Sequence, residues 1–285
     1  SYAINLQNEN LLNDLKEQME YCTDLGPKAT HENSGIDCLL VKSKLKKYAI
    51  NPQNASNLQT TASHWATYRK TFSVFDEFLR QNGFSAKKGQ IVDASIVAVP
   101  KQRNTRDENK SIKNGDVPED WNDNQKRQKD TDARWMKKNG VNHFGYKNHI
   151  DIDVKHKLIR SYEVTPASVH DSNVFEELLD ENNSSKDVWA DSAYGSAEKR
   201  ETLKEDGYRS HIQRKGCRYK KLTQPQIEAN RKRSKTRSRV EHIFGIQKMR
   251  AGNLMIRTIG IARAKAKIGL RNLAYNIDRY CLLSD

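Results

Sequence analysis

Between Trp65 and Leu79 the apolar residues Trp65, Tyr68, Phe72, Phe75 and Leu79 recur at spacings of three and four, which predicts an amphipathic helix ending near Asn82-Gly83. The next apolar stretch has another character. GQIVDASIVAVP, bounded by Gly89 and Pro100 and dense in Ile and Val, predicts a strand buried on both faces, and Asp93 lies inside it. HFGYKNHIDIDV and LIRSYEVTPAS, separated by the turn-like KHK, predict a hairpin. VFEELLD is expected to be helical, and DVWADSAYGS a short strand running into Asp191 and a glycine-containing turn. A helix over 197–206, a short strand at RSHIQ, a helix carrying Val240, Ile243 and Phe244 on one stripe, and a long amphipathic closing helix over 259–283 complete the pattern. Two regions lack such periodicity. Residues 1–60 are rich in Asn, Gln, Lys and Ser, with one predicted helix over Leu11 to Tyr21; residues 101–142 alternate in charge sign and read as a charged surface insertion.

The chain has 285 residues, of which 35% are hydrophobic, enough to bury a substantial core. Its net charge of +14 is concentrated in one place. Residues 193–285 hold 23 basic and 8 acidic side chains, and the stretch from Arg209 to Arg250 holds 14 Lys/Arg against only Glu228 and Glu241. Exposed surfaces normally mix the two signs, so this run, with Arg231, Lys232 and Arg233 at its centre, predicts contact with a polyanion, and nucleic acid in particular. No run approaches the roughly 20 apolar residues of a membrane-spanning helix. The opening SYAINLQNEN has neither a basic leader nor an apolar segment, so a cytoplasmic protein is expected. Cys22, Cys38, Cys217 and Cys281 stand apart without a C-x-x-C pair, and His143, His149 and His156 lack helical ligand spacing, which argues against a zinc site.

Three carboxylates attract a chemical reading. Asp93 in an apolar strand is costly to bury unless it pairs with a cation or binds a metal; both readings stay open on sequence alone. Asp191 falls at a strand's carboxyl end, where ligand sites of open α/β sheets sit. Glu241 flanks the apolar stripe of its helix, with Arg237 and Lys248 on the same side, a column that would also suit an ordinary ion-pair ladder. Hard divalent cations take oxygen ligands, so three converging acids would suit two-metal phosphoryl transfer. Separations of 98 and 50 residues do not by themselves establish convergence.

The blocks QIVDASIVAVPKQRNTRDENK, HFGYKNHIDIDVKHKLIRSYEVTPASVHDS, DVWADSAYGSAE and NRKRSKTRSRVEHIFG resemble, in wording and order, those of DDE transposases of the insertion sequence five family of bacterial mobile elements. The resemblance runs from about Phe72 to Tyr280. It implies a ribonuclease H-like α/β fold, a mixed five-stranded sheet flanked by helices over residues 63–285, with the charged insertion after the first strand. It also implies that Asp93, Asp191 and Glu241 are catalytic and hold Mg²⁺, with Mn²⁺ as a substitute. Related transposases carry Tyr-x₂-Arg-x₃-Glu-x₆-Lys around the third acid; Arg237, Glu241 and Lys248 match its last three positions and Ser234 replaces the Tyr. Arg237 and Lys248 are then expected at element-end DNA, with Lys147 a further DNA-binding candidate whose alternative role is packing or positioning. The implied partner is double-stranded DNA, at element ends and target, bound by a homo-oligomer in the bacterial nucleoid. Residues 1–62 do not resemble the family's end-binding domain and are taken as a truncated or degenerate N-terminal segment. A metal-dependent nuclease, or a non-catalytic DNA-binding remnant, would use the same residues without strand transfer.

Overall fold

The computed structural model describes residues 62–250 and 254–284, with side chains from residue 69 onward. The readings made for residues 1–61 lie outside the described residues. The chain runs α1 (Ala62–Gln81), β1 (Gln90–Ala98), α2 (Arg106–Asn114), α3 (Asp123–Gln128), β2 (Arg134–Lys138), β3 (Val141–Asp153) and β4 (Ile159–Pro166). It continues through β5 (Asp187–Ala190), α4 (Ala197–Glu205), β6 (Arg209–Ser210), α5 (Gln224–Arg250) and α6 (Ile261–Ser284).

The strands form one open mixed sheet in the order β2-β3-β1-β5-β6, with β4 also on β3. Since β1 and β4 both pair with residues 146–152 of β3, they lie on opposite edges of it, and β4 shares its edge with β2. β3 runs antiparallel to β1, whereas β5 and β6 run parallel to their neighbours. The expectation of five strands is therefore corrected to six. The added strand, β2, lies within the segment read as an insertion because its sequence RWMKK carries little hydrophobic signal. What makes it a strand is its turn: Asn139 and Gly140 both take positive φ, 52° and 79°, the geometry that closes two-residue hairpins.

The rest of the insertion is ordered too. α2 and α3 each begin with a reciprocal capping box, Thr105 with Glu108 and Asn122 with Gln125, and Ile112 and Trp121 are buried beneath them. VFEELLD forms short 3₁₀ turns at Asp171–Val174 and Glu176–Leu178 instead of a helix, with Phe175 and Leu178 turned inward.

The two sheet faces bury different clusters. On one, Ile91, Val97, Tyr146, Ile150 and Ile152 pack with aromatic residues of α1 and with Val240, Ile243, Ile268 and Leu273 from α5 and α6. On the other, Val92, Val188 and Ala190 pack with Phe175, Leu178, Tyr194 and Leu203. Across the first face, Asn148 and Gln247 both hydrogen-bond Asn272 at 2.9 Å, which satisfies polar groups at the helix crossing. Arg160, 1% exposed, sits between Asp76 of α1 and Asp153 of β3 at 2.9 and 3.0 Å. Among the described residues no helix is long and apolar enough to cross a membrane.

Candidate active site

β1 is buried at its start but only half-buried from Asp93 to Ile96, so the expectation of full burial on both faces is corrected at its centre. Gly89 makes the entry to this strand possible. It has φ +85° and lies so close to the Asp187 backbone and the Trp189 ring that a Cβ would collide with both.

Register then brings two of the acids together. Asp93 stands directly opposite Ile150 of β3, and Val92 opposite Ala190 of the parallel β5. One residue further on, Asp93 and Asp191 follow as neighbours at the carboxyl ends of adjacent strands, both on the face that α5 crosses. Asp191 also caps the turn after β5, its carboxylate accepting from the Ser192 N–H. Glu241 reaches the same place from α5. Arg237, one turn before it, donates to Asp93 Oδ2 at 2.6 Å and to Glu241 Oε1 at 3.0 Å. One guanidinium thus spans two of the three acids.

The electrostatics follow from this crowding. Burial raises the Asp93 carboxyl above its ordinary range; Arg237 opposes that, Asp191 adds to it, and Lys138 acts to lower it. Glu241 is more open, with its side chain 58% exposed against 16% for Asp93. The oxygen donors are of the type that hard divalent cations take. With the guanidinium spanning Asp93 and Glu241, however, no three His, Cys, Asp or Glu side chains among the described residues stand as a ready-made metal cluster.

The basic candidates divide by exposure. Arg231, Lys232 and Lys248 are exposed on α5, whereas Arg233 is half-buried and donates to the Ile212 carbonyl at 3.4 Å. Lys147 departs from its reading as a DNA contact. It is 7% exposed, donates to the Val169 carbonyl at 2.6 Å and pairs with Asp171 at 2.7 Å, because its place on β3 points it under the 3₁₀ segment. His170, next to Asp171, caps that segment by accepting from the Ser172 N–H.

Sequence reasoning passed over Tyr194. Its ring packs 5.2 Å from that of Phe175, it is 1% exposed, and its hydroxyl has no hydrogen-bond partner among the described residues. The charges of Asp93, Asp171 and Asp191 reach that hydroxyl and, with burial, raise its pKa. The available signal was its position, three residues after Asp191 in a short glycine-ended turn.

A family model described as Transposase DDE domain matches residues 85–277. The chain is 30% identical over 246 residues to the transposase for insertion sequence element IS1106 of Neisseria meningitidis serogroup B, covering 84% of this chain and 82% of that protein. No solved structure gives a significant match.

Proposed function

The chain belongs to the transposase DDE domain family, and from this premise we propose that it cuts the ends of an insertion sequence and joins their 3′ hydroxyls to target DNA, with Asp93, Asp191 and Glu241 as its catalytic carboxylates. The observation that carries the assignment is the parallel register of β1 and β5, which makes Asp93 and Asp191 neighbours on the face that α5 crosses. The strand order supports a ribonuclease H-like sheet: antiparallel β4, β3 and β1 are followed by β5 and β6 parallel to β1.

A divalent cation, for which Mg²⁺ is the natural candidate, would be held by Asp93 and Asp191, with Glu241 completing the set. When bound it supplies charge stabilisation for the attacking and departing oxygens of a phosphodiester. The protein's own residues do the rest. Arg237 balances charge between Asp93 and Glu241, and its guanidinium suits a DNA phosphate approaching along α5. Lys248, seven residues beyond Glu241 and exposed, extends that basic line. Arg231 and Lys232 neutralise phosphates farther along the helix. A homo-oligomer on DNA would hold two element ends at once.

The test is incubation of the full chain with candidate element-end duplexes and Mg²⁺, scoring nicked and joined products. Asp93→Ala, Asp191→Ala and Glu241→Ala are each expected to slow cleavage more than about a hundredfold, ~2.7 kcal/mol of barrier, while DNA affinity stays within a few-fold. A wild-type rate in any one variant removes that residue from the site, and hydrolysis without joined products overturns strand transfer.

A further inference from the structure

We propose that the β2–β3 hairpin is a second DNA-binding element, a wing that grips duplex DNA beside the candidate active site through Lys137, Lys138 and Trp135. The proposal rests on the transposase reading and adds a contact surface remote in sequence from the basic helix α5.

Four observations support it. From Ala133 to Ile150 the chain holds four Lys/Arg and no acid, within a segment, 91–192, that is otherwise net acidic. β1 and β4 pair with β3 only from Gly145 and Tyr146 onward, so residues 134–144 form a two-stranded ribbon extending past the sheet. The ribbon's tip, residues 137–142, is exposed throughout, Val141 in it is 57% exposed, and Trp135 just below it is 42% exposed. The side chains of Lys137 and Lys138 are exposed and make no ion pair or hydrogen bond among the described residues.

The root of the ribbon, by contrast, is fixed. Arg134 donates to the carbonyls of Thr131, Ala133 and Ile112, while Phe144 is buried and lies 5.0 Å from the Trp135 ring. A rigid base with free cations and an aromatic at its end loses little conformational entropy on binding. The tip also lies on the working side of the molecule: the ribbon leaves the sheet beyond the Ala98–Gly145 pair, at the carboxyl end of β1, the same end at which Asp191 follows the parallel β5.

Duplex DNA is the occupant that matches these groups. Lysine ammonium groups neutralise phosphates without reading bases, and a two-stranded ribbon fits a DNA groove. Trp135 supplies a flat apolar surface of the kind that rests on sugars or exposed bases.

The test uses the full chain and a fluorescent duplex of random sequence, titrated at several salt concentrations. Lys137→Gln with Lys138→Gln is expected to weaken binding about tenfold or more at low salt and to reduce the salt slope by about 0.9 per lysine. Trp135→Ala is expected to weaken binding several-fold with the slope unchanged. Thermal melting checks that each variant folds, which the exposure of these side chains favours. Binding and slope unchanged in both variants overturns the proposal. Unchanged binding with an altered sedimentation coefficient also overturns it, and assigns the wing to a second copy of the chain. An Arg231→Gln, Lys232→Gln variant run alongside separates the two readings. Loss in that variant but not in the wing variants defeats the wing alone; a wild-type chain that does not bind the duplex at low salt defeats DNA binding by the whole molecule.

Discussion

The Tyr194 hydroxyl is buried without a hydrogen-bond partner among the described residues, a state that costs about 1–3 kcal/mol in a folded protein. Tyr194→Phe keeps the ring against Phe175 and removes that cost, so the variant is expected to melt at the same temperature or higher. Because the hydroxyl stands within reach of the Asp93 and Asp191 charges, the same change is expected to slow strand cleavage about tenfold, read in the Mg²⁺ nicking assay. A rate equal to wild type would make Tyr194 a packing residue only. Asp151 presents the opposite sign problem. It is completely buried, no cation among the described residues pairs with it, and burial together with the charges of Asp180 and Asp153 raises its pKa far above the ordinary value, against the lowering effect of Arg160 and the Ile152 N–H. The folded state therefore holds this proton more tightly than the unfolded chain does. Its contribution to stability is full below the unfolded value of about 3.9 and is lost as pH rises toward the folded value. Asp151→Asn is expected to flatten the fall of stability as pH rises above about 3.9, and denaturant unfolding at several pH values would show it. Neither residue announced itself in the sequence, because an aromatic in a turn and an acid in an alternating strand are both commonplace until their surroundings are known.

Helices and strands were more legible. The periodicity of α1 and α6 follows the faces that α1, α6 and the sheet bury, and the apolar run around Asp93 follows the placement of β1 between two neighbours. The segment 171–178 misled: VFEELLD has helical composition, and Val174, Phe175 and Leu178 are spaced as an α-helix would bury them, yet short 3₁₀ turns turn them toward the second core cluster, and no local pattern separates the two. β2 escaped notice because Lys-rich edge strands carry little apolar signal, although Asn139-Gly140 is a strong turn marker. Packing at one crossing offers a test of the assembled elements. Gly269 of α6 leaves room for Tyr162 of β4, whose hydroxyl would collide with an added Cβ. Gly269→Ala is expected to lose about 1–3 kcal/mol of stability despite its better helix propensity, as measured by urea unfolding. An unchanged or higher midpoint would mean the crossing relaxes freely.

For the molecule as a whole, the charge distribution makes the broadest prediction. The excess of basic residues lies in the last third of the chain, and α5 displays Arg231, Lys232 and Lys248 on its exposed surface. DNA affinity is expected to fall with salt by about 0.9 log units per phosphate contact for each tenfold rise in concentration. Neutralising Arg231 and Lys232 should lower that slope by roughly two contacts, and a flat titration of the wild type would contradict the whole scheme. The sequence alone determined most element types, the basic segment, and the places of Asp93 inside one strand and of Asp191 at the carboxyl end of another, because those depend on local periodicity and on counting charges. Only the tertiary structure decided which side chains meet. Arg237 reaches Asp93 across 144 residues of chain, and Lys147 is drawn under the 3₁₀ segment onto Asp171 and away from solvent. Such pairings depend on strand order and register: a one-residue shift of β3 against β1 would turn Lys147 and Asp151 to the opposite face. No local pattern carries that information, since register is set by the fit of two faces built from distant parts of the chain.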